Sequence, residues 1–331
     1  MLRFLIKWSV AIFFCTNIFV LGLAYYSSEL LLFPGNLKHR QKSTECDGFL
    51  ENQAFQNISG GAANGPNISK SCEDVASSLT PEKVPLPHLN TGHTTHLFDL
   101  KTNPDGGIWL HLSGVNGNYL HGARYLDMAK SFGKRLFALE YINHGLSDSD
   151  GKGTGWGCKE RHDVSAAITY LAQTFPEQTI FITSTSMGSM ATALALQDLK
   201  GSSSIEQIST VVYESPIPNV EELSKFTSEA PPLPHLFFDL GIWIAGLRSG
   251  LDFHNDSCNP KVALKSTVVP AFVISSRLDK VTPTALVRSF VESIPKEKLL
   301  GWTEYESGFH STVYNGQPGK VEDLFFELSQ K

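Results

Sequence analysis

Residues 180–199 constrain this chain more than any other stretch. A β-branched and aromatic run at 180–183 leads directly into Ser184, Thr185, Ser186, Met187 and Gly188, and residues 191–199 then read as helix. The pattern is strand, sharp turn, helix. A serine at the centre of such a turn is held in a strained backbone conformation with its hydroxyl above the sheet, and its neighbours must be small because the turn leaves little room. Ser186 is therefore a candidate nucleophile. A serine before a glycine at a helix start also arises by chance, so the pentapeptide has to be weighed with what surrounds it.

The surrounding chain alternates in the same way. Residues 96–100 and 108–112 read as two strands around a turn at 103–107 that carries Pro104, Gly106 and Gly107. Residues 136–141, 209–213, 268–275 and 299–305 are further apolar strands, and 160–175 places Val164, Ala167, Ile168 and Leu171 at helical spacing. Strands alternating with helices predict a mostly parallel sheet flanked by helices. Three loops at strand ends carry chemistry. Residues 113–118 form a glycine-rich loop able to expose backbone N–H groups. Asp279 follows the strand at 268–275, and Thr282 with Pro283 supplies a start signal for the next helix, so Asp279 is not needed as its cap. His310 lies in the loop after the last strand. Glu214, at the end of an earlier strand, is the alternative acid.

The pentapeptide resembles the G-x-S-x-G nucleophile elbow of the α/β-hydrolases, with Ser184 where the first glycine usually stands. Residues 113–118 resemble that family's H-G-x-x-G-N loop, with Ser113 in place of histidine; the turn at 143–147 resembles its R-G-x-G-x-S-like segment, with Ile142 and Asn143 departing from arginine and glycine. The order Ser186, Asp279, His310 is the family's order and differs from both unrelated serine-protease arrangements. The resemblance covers about residues 95–331. It implies an α/β-hydrolase fold with Ser186 as nucleophile, His310 as general base, Asp279 as the acid that orients it, and the N–H groups of Val115 and Met187 as oxyanion hole. No metal or organic cofactor is implied. The implied substrate is an ester, thioester or lipid acyl bond; a peptidase or amidase of the same fold, acyl transfer to another acceptor, and a binding protein that has lost turnover are the alternatives.

Residues 216–260 interrupt the alternation, and the apolar run at 236–247, with Phe237, Phe238, Ile242, Trp243 and Ile244, suggests a lid that shapes an apolar pocket, with a helix packed against the core and contact with a membrane as the alternatives. At the other end, Arg3 and Lys7 precede a mostly apolar stretch at 8–26, which as a helix rises roughly 28 Å at about 1.5 Å per residue. An uncleaved anchor fits, and so does a signal peptide cut after Gly22, Leu23 and Ala24; a buried N-terminal helix is the alternative that the basic start disfavours. Both place the remaining chain on the extracytoplasmic or lumenal side. Three parts follow: 1–26 as signal or anchor, 27–95 as a loop-rich extension, and 96–331 as the hydrolase domain. With Cys15 in the apolar stretch, Cys46, Cys72, Cys158 and Cys258 form an even set for an oxidising compartment; a Cys46–Cys72 bridge leaves Cys158 with Cys258. Asn57, Asn67 and Asn255 begin N-x-S sequons. The net charge of -6 has no basic block, which argues against a nucleic-acid partner. His93 and His96 lack carboxylate or thiolate companions and read as surface histidines; Gly151, Lys152 and Gly153 miss the phosphate-loop pattern and read as a flexible surface loop. There is no internal repeat.

Overall fold

A computed structural model describes residues 2–34, 79–89, 91–103, 105–226 and 235–331, with 2–16, 226, 235–237, 315 and 318 described by backbone alone. Cys46, Cys72, Asn57 and Asn67 lie outside the described residues. Eight strands form one sheet in the order β1-β2-β4-β3-β5-β6-β7-β8: β1 (Glu82–His88), β2 (His93–Asp99), β3 (Gly107–Leu112), β4 (Lys134–Glu140), β5 (Ile180–Thr185), β6 (Ile208–Glu214), β7 (Ala271–Ser276) and β8 (Leu299–Tyr305). From β4 onwards every neighbouring pair in that order is parallel, while β1 and β2 run antiparallel at one edge. The helices that matter here are α1 (Leu2–Leu32), α2 (Leu126–Ser131), α3 (Arg161–Thr174), α4 (Met187–Asp198), α5 (Val220–Phe226), α6 (His235–Ser249), α7 (Thr284–Val291) and α8 (Pro318–Ser329).

The period-two alternation of the strands divides the core into two layers. Ile108, Leu110, Leu112, Ile180, Ile182, Val211, Tyr213, Ala271 and Val273 point to the face covered by α3, α4 and α7. Their neighbours Trp109, Phe181, Val212, Phe272 and Ile274 point to the other, against Tyr119, Tyr125, α2 and α8. Burial on both faces explains why these strands read as continuous apolar runs.

The strands on either side of the turn at 103–107 are β2 and β3, which do not pair with each other because β4 lies between them. One expectation is corrected: the sheet begins at Glu82, within the stretch read as a loop-rich extension. Pro85 and Pro87 obscured β1, yet proline is tolerated in an edge strand where one side of the backbone needs no ladder partner. His88 ends that strand with Nδ1 2.6 Å from Asp163 Oδ1, while Asp163 Oδ2 accepts from the N–H of Ile142, so one buried carboxylate ties the edge strand and the turn after β4 to α3.

The loop at 150–157 is fastened, not loose: Lys159 pairs with Asp150 at 2.8 Å, and Asn143 Nδ2 donates to Asp150 and to the carbonyl of Gly153. Cys158 and Cys258 form a disulfide. His96 is buried in β2 against Phe98, and burial, helped by Lys83, pulls its pKa down; the surface reading does not hold for it. Its neighbour His93 is partly buried.

Candidate active site

Ser186 sits between the last residue of β5 and the first of α4 with φ 52° and ψ −121°. A non-glycine residue at positive φ costs of order 1–3 kcal/mol and persists where its surroundings over-determine it. Here Ser186 N–H donates to Glu214 O at 3.0 Å, its carbonyl accepts from Ser189 N–H at 3.0 Å, and Ser189 Oγ donates to Ser184 O at 3.2 Å. Gly188 permits the helix to start so close to the sheet, since a Cβ there would lie 2.5 Å from the carbonyl oxygens of Leu112 and Ser113. Ser184 places a buried hydroxyl where glycine is usual, with no hydrogen-bond partner among the described residues.

The three side chains singled out in the sequence come together from three strand ends. His310 Nε2 lies 2.8 Å from Ser186 Oγ, and His310 Nδ1 lies 2.9 Å from Asp279 Oδ2. All three residues are buried. Burial would push the Asp279 carboxyl up, but the charge and hydrogen bond of His310, with the N–H and hydroxyl of Thr282, outweigh it and hold Asp279 below the ordinary carboxylate value.

Asp279 has more local duties than the sequence suggests. Its Oδ1 accepts from the N–H groups of Val281 and Thr282, both at 2.8 Å, leaving Oδ2 to Thr282 Oγ at 2.7 Å and to His310. Thr282 does not cap α7. The residue before that helix is Pro283, which makes no side-chain cap, and the Thr282 hydroxyl instead supports the carboxylate and lies 3.3 Å from His310 Nδ1. Thr282 is thus a site residue that the capping signal concealed.

Glu214, the alternative acid, is also buried nearby but faces elsewhere. Its Oε1 accepts from Val313 N–H at 2.9 Å, and its Oε2 accepts from Arg124 at 3.1 Å and from Tyr125 OH at 3.3 Å. Arg124 donates in turn to Ser311 O at 2.5 Å. Burial pulls Arg124 down, but Tyr125 and Glu214 more than offset it, so the guanidinium stays charged. This pair braces the backbone just after His310 rather than its ring. No sequence signal marked Arg124.

On the other side of Ser186 lies the glycine-rich loop. A Cβ on Gly114 would stand 3.0 Å from Ser186 Cβ, so the loop passes close to the nucleophile at the residue before Val115. Tyr141 OH donates to Ser113 O at 3.0 Å, and Gly117 N–H donates to Gly114 O at 3.1 Å, shaping the loop. Met187 is the first residue of α4, where an N–H has no intrahelical acceptor. The arrangement can thus carry a proton from a strained hydroxyl to a carboxylate-backed imidazole, with backbone donors close by.

A serine elbow at the carboxyl end of β5, an imidazole after β8 and an eight-stranded, mostly parallel sheet decide the architecture. The fold is that of the α/β-hydrolases. It is similar to the Pyrococcus furiosus esterase Pf2001, with 19% identity and a TM-score of 0.59 over 78% of this chain and 94% of that one. The chain is also similar to Est1E from Butyrivibrio proteoclasticus, solved with ferulic acid bound, at 13% identity and a TM-score of 0.55 over 75% of this chain and 98% of that one. A Pyrococcus horikoshii acylaminoacyl peptidase aligns at 15% identity and a TM-score of 0.54, over 76% of this chain but only 42% of that longer one. No protein-family model matches the sequence, and no curated protein matches it.

Proposed function

We propose that this chain is a serine hydrolase cleaving an ester, thioester or lipid acyl bond through an acyl-enzyme. The observation that carries the proposal is the hydrogen-bonded line Ser186, His310, Asp279 at a strained elbow, with distances of 2.8 and 2.9 Å. In this reading His310 Nε2 takes the Ser186 proton as Oγ attacks the carbonyl carbon, and Asp279 stabilises the imidazolium that forms. The N–H groups of Val115 and Met187 receive the developing oxyanion. Collapse expels the leaving group with the proton from His310, and a water activated by the same imidazole then releases the acid. The fold relatives include esterases and an acylaminoacyl peptidase, so a small amide or peptide substrate is the second reading. A fluorophosphonate probe tests the proposal: the protein should label at Ser186, as shown by peptide mass, and Ser186→Ala should not. A folded, unlabelled protein would mean a binding module instead.

The location we propose is extracytoplasmic and membrane-anchored or secreted. It is supported by Arg3 and Lys7 ahead of an apolar run, and by the Cys158–Cys258 disulfide. Among the described residues no helix is long and apolar enough to cross a membrane.

The insertion at 216–260 contributes α5 and α6. Its Ile242 joins the main core, whereas Trp243 is 56% exposed. A helix that packs on one side turns its remaining faces outward whatever their polarity, and α6 packs against α1.

A further inference from the structure

The last carbonyls of a helix have no intrahelical donor and need partners from elsewhere. At the end of α1 the partners come from the candidate active-site loops. Trp156 Nε1 donates to Leu31 O, the N–H of Thr154 to Leu32 O, and Asn116 Nδ2 to Pro34 O, each at 2.8 Å. Asn116 belongs to the glycine-rich loop and follows Val115 directly. Thr154 Oγ lies 3.1 Å from Met187 Sδ. Both residues assigned to the oxyanion hole are therefore one contact away from the end of the N-terminal helix.

That end is itself clamped. Ala24 is fully buried, as is Ala245 of α6, and Gly241 fits so closely against α1 that a Cβ would meet Ser27 Cβ at 2.8 Å. Arg248 donates to Ser28 Oγ at 2.8 Å and pairs with Glu29 at 2.5 Å. A seam of small residues lets two helices approach, and the arginine fixes the register of the approach.

We propose that residues 25–34, which a cut after Ala24 would leave in place, are a positioning element for the oxyanion loop, with Asn116 as the residue that transmits the position. The proposal rests on the hydrolase reading. Asn116 has φ 64°, a conformation asparagine tolerates better than most side chains, so its amide reaches Pro34 without further rearrangement. Displacing α1 would release that amide and let the loop carrying Val115 relax, and displacement of a positioning contact by about 1 Å can cost up to about 100-fold in rate.

The test uses the full chain. Asn116→Gly keeps the positive φ and removes the donor, Gly241→Leu wedges α6 from α1, and Arg248→Met loosens the same seam without a clash should the leucine prevent folding. Each should lower kcat about tenfold with KM within about twofold of the parent. Asn116→Gly combined with either seam variant should lose no more than the worse single change, because both act through one contact. Hydrogen exchange of residues 113–118 should quicken in all of them. Unchanged kcat and unchanged exchange in the seam variants would overturn the proposal, and so would losses that multiply in the double variant. If the parent neither labels with the fluorophosphonate nor turns over an ester or an amide, the hydrolase reading fails on its own and the exchange rates still decide whether α1 holds the loop.

Discussion

Two buried carboxylates stand at this site, and one substitution at each separates their duties. Glu214→Gln leaves the shape almost unchanged but supplies one acceptor and one donor where two acceptors stood. If the amide oxygen keeps Val313 N–H, the amide NH₂ faces Arg124, whose side chain is 14% exposed and 3.1 Å from the lost oxygen. Breaking a buried pair by removing one partner costs about 3–5 kcal/mol. Arg124 keeps the Ser311 carbonyl, which argues for the low end, about 3 kcal/mol. At about 2–4 °C per kcal/mol for a domain of this size, Tm should fall by about 6–12 °C. Turnover of a short-chain aryl ester, measured well below the transition, should fall by less than about tenfold, because the imidazole keeps its own carboxylate. Calorimetry beside steady-state kinetics reads both quantities. A Glu214→Gln protein with an unchanged Tm and a rate reduced as far as in Asp279→Asn would refute the reasoning and exchange the roles of the two acids.

Asp279→Asn should lower kcat by about 10⁴-fold through the wrong imidazole tautomer. Because the Asp279 pKa is held below its ordinary 3.8, its contribution to stability is present above that value and lost as pH falls through the folded one, so the stability gap between parent and Asp279→Asn should narrow below about pH 4 in urea titrations. Reducing Cys158–Cys258, which spans 100 residues, should cost about 2–5 kcal/mol, read as a drop in the urea midpoint with dithiothreitol; an unaltered midpoint would show that the bridge carries no stability. Trp243→Ala should leave both Tm and acyl-chain preference nearly unchanged, as expected of a side chain 56% exposed, and a shifted chain-length profile would support the lid reading.

The sheet was legible because strands such as Ile180–Thr185 and Ala271–Ser276 are buried on both faces and therefore apolar throughout. The loop positions of Ser186, Asp279 and His310 were legible from chain order and strand ends. What escaped depended on contacts between residues far apart in sequence. Arg124 lies 90 residues from Glu214, and an isolated arginine in a short 3₁₀ helix carries no mark of its partner. Thr282 carried a misleading mark, since a threonine before a proline satisfies a capping pattern while its hydroxyl serves Asp279. Strand β1 was hidden by Pro85 and Pro87, whose meaning depends on lying at an edge. The apolar run of α6 could not say where its cover lies: Ile242 joins the main core, whereas Ala245 packs with Leu32 and Phe33 at the end of α1.

The attachment of α1 also sets an order of events in folding. Its last turn is made early in the chain, yet the donor for Pro34 lies 82 residues later, that for Leu31 lies 125 later, and Arg248 follows Ser28 by 220. Contacts at such separations carry a loop-closure cost and form late. A helix made before its partners would thus be among the last to dock, waiting until the sheet and the insertion exist to receive it.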